Sequence, residues 1–122
     1  MRIATLTIVL IAAAAVGRAA QAADDVAAAD VRCLAVATVL SSNADPNVKN
    51  AGLMAALYYL GRVDGRQPTL DLEARLKQAY EQMSLQDVQA EARRCGAELG
   101  VRGKAVSEIG ARLMAQAKDK TP

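Results

Sequence analysis

The residues with the most chemistry in this chain are Cys33 and Cys95, the only two cysteines among its 122 residues. Their separation is far from the C-x-x-C spacing of a redox-active pair, and two thiols without further ligands do not make a zinc site. In an oxidising compartment such a pair closes one structural disulfide, and a loop of about 60 residues gives it roughly 4 kcal/mol of stabilisation in the chain-entropy model.

No other grouping of reactive side chains is stronger. The chain has no His, so imidazole catalysis and metal sites built on His are excluded, and Ser84 and Ser107 have no base to activate them. A Ser-Lys arrangement using Lys104 has no supporting motif. Asp24, Asp25 and Asp30 form a carboxylate cluster, but they read as solvated charges at the start of a helix. Gly61-Arg62-Val63-Asp64-Gly65-Arg66 carries the Gly and Arg of an anion loop without the Lys and Ser/Thr of a P-loop, and it follows no strand. It reads as a helix C-cap and turn. Arg93 and Arg94 flank Cys95 and would lower a free thiol's pKa, an effect without consequence in a disulfide. Tyr58 and Tyr59 read as core and core-edge residues. No enzyme activity, no cofactor and no metal is expected.

Charge and composition narrow the partners. Met1-Arg2 precedes an apolar run from Ile3 to Val16, followed by Gly17, Arg18 and Ala20-Gln21-Ala22, the order of a basic n-region, an h-region and an A-x-A cleavage site. The run is short of a membrane span, so residues 1–22 read as a secretory signal, with an uncleaved N-terminal anchor as the alternative. The expected location is periplasmic or secreted. Of 15 basic residues, loss of Arg2 and Arg18 leaves 13 against 13 acidic ones, a neutral mature chain 23–122. Neutrality and only three Tyr argue against nucleic acid and an anionic membrane surface.

The elements that must position these residues are helical throughout, since no stretch sustains period-2 alternation. Val26, Ala29, Cys33, Ala37 and Leu40 recur at steps of three and four, which predicts a first helix from about 25 to 41. Asp45 and Pro46 form an N-cap and first-position pair opening a second helix, about 46 to 62. Its run Ala51 to Leu60 carries no charge, so it is expected at the centre of the domain, buried on most sides. A third helix begins at Thr69 or Asp71 and repeats Leu72, Leu76, Tyr80 and Met83. Ser84 and Asp87 resemble a capping box opening a fourth segment at Leu85. There Leu85, Val88, Ala92, Cys95, Leu99, Val106, Ile109 and Leu113 keep the three-four rhythm, broken by Arg102. The segment is one long helix or two stacked end to end; Gly96, Gly100, Gly103 and Gly110 favour a break between Leu99 and Gly103. The end, from Lys118, is expected to fray. The resulting fold class is all-α, a four- or five-helix bundle stapled by one disulfide.

Cys33, then Ala56-Leu57-Tyr58-Tyr59-Leu60-Gly61-Arg62-Val63-Asp64-Gly65-Arg66, then Cys95, in a short exported helical chain, resembles the HdeA/HdeB group of small periplasmic acid-stress chaperones. The chain departs from that group in having no Trp, in a longer segment between the cysteines, and in Gly96-Ala97-Glu98 where the group tends to have Asn-Pro. The resemblance implies a homodimer at neutral pH that opens in acid and holds unfolded envelope proteins. Leu53, Met54, Leu57, Tyr58 and Leu60 would then form the client-binding surface. Protonating every carboxylate would take the mature chain to about +13, and self-repulsion would favour opening. A different reading makes the protein a structural or interaction subunit that binds one envelope partner through Val106, Ile109 and Leu113.

Overall fold

The computed structural model describes residues 4–119, with side chains described from Gln21 onward except Ala23. The chain folds into four helices, α1 (Ala4–Ser41), α2 (Pro46–Arg66), α3 (Leu72–Gln82) and α4 (Leu85–Lys118), with no strand among the described residues. The all-α bundle is therefore observed, with four helices rather than five. The Cys33–Cys95 disulfide joins α1 to α4 with a Cα separation of 5.7 Å. Of the expected signal segment, residues 1–3 lie outside the described residues, and only the helical backbone is described for 4–20. The frayed end expected beyond Lys118 lies mostly outside them too. Among the described residues no helix is long and apolar enough to cross a membrane.

Local signals account for most boundaries. Asp45 caps α2 by accepting hydrogen bonds from the amides of Asn47 at 2.8 Å and Val48 at 3.4 Å, and Pro46 takes the first helical position. Asp71 caps α3 through the amide of Ala74 at 3.0 Å. Ser84 and Asp87 make the expected capping box, in which the Ser84 amide donates to the Asp87 carboxylate at 2.9 Å and the Asp87 amide donates to Ser84 Oγ at 3.2 Å.

The hub of the bundle is α1, not α2. Val31 and the run Cys33 to Ala37 are all buried, and α2, α3 and α4 each pack on α1. The uncharged segment of α2 instead keeps Leu53, Met54 and Leu57 in solvent and turns Tyr59 inward, as Val63 does beyond it. Gly52 explains how α2 approaches α1 so closely. A Cβ there would lie 2.4 Å from the backbone nitrogen of Ser41 and 2.6 Å from the carbonyl carbon of Leu40. Near Gly52 the helices meet through small residues, so the large side chains beside it, Leu53, Met54 and Leu57, are left outside.

Two further expectations are corrected. Helix α2 continues past residue 62 to Arg66, with Gly61 and Gly65 inside it. Helix α4 runs unbroken through Leu99 to Gly103. Each glycine costs up to about 1 kcal/mol, but Ala, Arg, Leu, Glu and Lys between them favour helix, and once nucleated each added residue gains one backbone bond. The first half of α4 packs on the bundle, whereas from Gly100 to Asp119 every described residue is exposed, so its second half projects as an arm.

Candidate functional site

The junction of α1, α2 and α4 gathers charge that the sequence pattern assigned to solvent. Asp30 was expected at a solvated helix start, beside Asp24 and Asp25. Those two are exposed, whereas Asp30 is only 2% exposed and faces α2. Arg62 grips it with two nitrogens, Nε at 3.2 Å from Oδ2 and Nη2 at 3.0 Å from Oδ1, and Arg66 also pairs with Oδ2. Arg62 and Arg66 are four apart, so one face of α2 delivers both guanidinium groups to one carboxylate on α1. The segment read as a turn thus does hold an anion, and the anion belongs to the chain itself.

Arg62 links this pair to α4, because its Nη1 pairs with Glu98 and donates to Tyr58 Oη at 3.0 Å. Its guanidinium carbon stands 5.4 Å from the ring centre of Tyr58 and 5.7 Å from that of Tyr59, within cation–π range. Fully buried Tyr59 donates its hydroxyl to the Cys95 carbonyl at 2.9 Å. Burial is the main cause of its raised pKa. For Arg62 burial alone would lower the pKa, but the Tyr58 hydrogen bond and the Asp30 carboxylate offset it and leave the group above its ordinary value.

A second clamp lies beside the disulfide. Glu91 on α4 accepts from Arg32 Nε at 2.8 Å and pairs with Arg94 Nη2 at 2.6 Å. Arg94 also donates to the Ala29 carbonyl at 3.1 Å and to Cys33 Sγ at 3.0 Å. Burial alone would raise the Glu91 pKa, yet the hydrogen bonds from Arg32 and Arg94 outweigh it and hold the carboxyl below its ordinary range. Cys33, Glu91 and Cys95 are the one Cys/Asp/Glu grouping among the described residues close enough to share a cation. Both sulfurs are spent in the disulfide and the carboxylate in two arginines, which leaves no free ligand there.

The proposed client-contact residues divide. Leu53, Met54 and Leu57 form an exposed patch on α2, with Leu57 71% exposed. Half-buried Tyr58 belongs to the Arg62 network, and half-buried Leu60 packs against the core. The sequence signal for Asp30 was present: Val26, Asp30, Cys33 and Ala37 follow steps of four, three and four, so Asp30 shares the face of Cys33. No buried side-chain nitrogen or oxygen among the described residues lacks a partner. Such an arrangement locks three helices together by charge and offers apolar surface beside the lock.

Comparison of the chain with protein-family models, with curated proteins and with solved structures returns no match. The likeness to the HdeA/HdeB group therefore rests on the residues quoted above.

Proposed function

We propose that the protein is a non-enzymatic holdase of the cell envelope that binds apolar segments of other polypeptides and exposes more binding surface in acid. One conjunction carries the reading: the apolar patch Leu53, Met54 and Leu57 stands in solvent, and the neighbouring helix junction depends on three carboxylates, each facing arginine. Strong acid neutralises carboxylates and so removes the negative member of each of these pairs. Arg32, Arg62, Arg66 and Arg94 are then left crowded without counter-charge, and their repulsion favours parting of the helices. Opening bares Val31, Leu34 and Val63 to clients, while the disulfide keeps α1 tied to α4 so that the opened chain retains its topology. Export to the periplasm or beyond belongs to the same proposal, supported by the order of residues 1–22 and by the cysteine pairing.

The test follows the purified, oxidised chain from neutral pH to about pH 2 by size, by ANS binding and by the aggregation of a heterologous client. Reversible expansion with dye binding and client protection is the expected result. A compact chain that binds no dye and protects nothing in acid overturns the reading. The projecting arm favours a second one, a subunit that docks on a single envelope partner. Capture of one protein without protection of unrelated clients selects it.

A further inference from the structure

Arg75 of α3 is a half-buried cation without a counter-charge. Among the residues whose side chains are described, every other Lys or Arg outside an ion pair is exposed. Arg75 Nη1 donates to Gln78 Oε1 at 3.0 Å, a neutral acceptor that fixes the guanidinium without cancelling its charge. Taking a charge partly out of water without pairing it costs free energy, so the position asks for an anion. Arg75 borders a cavity of about 380 Å³ where α1, α3 and α4 converge, within the size range of small-ligand sites. Helix α3 lines it with one face, on which Gln78 and Gln82 follow Arg75 with Ala79 and Met83 beside them, and Val31 and Arg32 of α1 stand across from it. The two carboxylates at the α4 side are already engaged. Asp87 accepts from the Ser84 amide at 2.9 Å and hydroxyl at 2.7 Å, and the two oxygens of Glu91 face Arg32 and Arg94. Arg32 spends only its Nε on Glu91, and its two Nη groups donate to nothing among the described residues.

We propose that this cavity binds a small organic acid, its carboxylate held by Arg75 and the open Nη groups of Arg32 and its short hydrocarbon body laid on Val31, Ala79 and Met83. Each part of the wall sets one feature of the ligand. Guanidinium groups match the planar two-oxygen fork of a carboxylate and hold it with charge-assisted hydrogen bonds. Gln78, whose oxygen is taken by Arg75, has its amide nitrogen left to donate, and Gln82 offers a second one a turn further along α3. Asp87 and Glu91 set against Arg32, Arg75 and Arg94 leave one positive charge over, so the acid is a monoanion. The apolar side of the cavity is what an inorganic anion would leave uncovered, and it selects an acid with a hydrocarbon part. Occupied, the site ties α1 to α3 through one ligand, a contact that the chain by itself makes only through apolar packing and the Tyr80 hydroxyl, which donates to the Ala35 carbonyl at 2.7 Å. This site goes beyond the holdase reading and does not depend on it.

Calorimetric titration of the oxidised full chain at neutral pH with hexanoate, hexanamide and inorganic phosphate tests the proposal, together with the variants Arg75→Gln, Gln82→Glu and Arg93→Gln. Arg75→Gln gives up one bond to an exposed glutamine, so circular dichroism should show the fold retained. Arg93 is exposed and lies outside the cavity, so its substitution changes net charge alone. The expected result is one hexanoate bound per chain with a Kd below about 1 mM, and shifted amide NMR signals at Val31 and Ala79. Arg75→Gln and Gln82→Glu should each weaken it about tenfold or more, and Arg93→Gln should leave it unchanged. Hexanamide, which keeps the shape without the charge, and phosphate, which keeps charge without the hydrocarbon, should each bind about tenfold more weakly or worse. A chain that takes up no hexanoate at about 10 mM overturns the proposal. So does hexanamide or phosphate binding as tightly as hexanoate, or hexanoate binding that Arg75→Gln leaves unchanged. The readout needs neither acid nor a client protein, so its failure leaves the holdase test untouched.

Discussion

Arg62 of α2 reaches Asp30 of α1 with two nitrogens, at 3.2 and 3.0 Å, and closes over a carboxylate that is only 2% exposed. Among the described residues Asp30 is the one buried charge, and it stands within reach of two arginines. Losing the carboxylate leaves Arg62 still paired with Glu98 and Arg66 40% exposed, so the cost is that of lost charged hydrogen bonds and not of a buried unpaired charge, about 1–3 kcal/mol. Asp30→Ala is expected to lower the stability of the oxidised chain by that amount in urea unfolding. Asp24→Ala, at an exposed position of the same helix, should change it by less than about 0.5 kcal/mol.

Glu91 sets part of the acid sensitivity. Its folded pKa is depressed below the ordinary 4.5, since the bonds from Arg32 and Arg94 outweigh the effect of burial. A depressed carboxylate contributes stability that is fully present above the unfolded pKa and is lost as pH falls through the folded value. Stability should therefore decline from about pH 4.5 downward, and Glu91→Gln should be less stable at neutral pH and show a shallower acid decline. Unfolding midpoints measured between neutral pH and pH 3 check both. A Glu91→Gln chain with the wild-type acid slope would exclude the clamp as a contributor.

The Cys33–Cys95 bond closes most of the bundle into one loop, with all of α2 and α3 between its ends. Reduction, or the double substitution Cys33→Ser with Cys95→Ser, should cost about 4 kcal/mol, read as a lower denaturation midpoint. In acid the reduced chain should fail to recover its compact form on neutralisation as completely as the oxidised one does.

Glycines of α2 give opposite signs. Gly52→Ala forces a Cβ into the backbone of Leu40 and Ser41 and should destabilise by about 1–3 kcal/mol. Gly61→Ala meets nothing within 4 Å in a helix interior and should stabilise by about 0.5–1 kcal/mol. Melting temperatures of the two single variants decide the matter, and the same sign for both would contradict the packing described here.

What the sequence determined by itself was local. The caps at Asp45 and Ser84, the choice of Thr69 or Asp71 before α3, and the helical rhythm of each segment act through residues no more than four apart, and those signals need no tertiary partner to be read. The cysteine pairing was legible too, because two cysteines allow one bond. Only the tertiary structure decided which uncharged face of α2 turns inward, since Gly52 lets that helix press on Leu40 through small residues and leaves Leu53, Met54 and Leu57 outside. It also decided that Asp30 is buried. A carboxylate can leave water only where counter-charges arrive, and Arg62 and Arg66 stand more than thirty positions away in the chain. The unbroken α4 belongs to the same class: the glycines argued locally for a break, but from Gly100 onward the described residues of the helix are exposed, and the backbone hydrogen bonds carry it straight on.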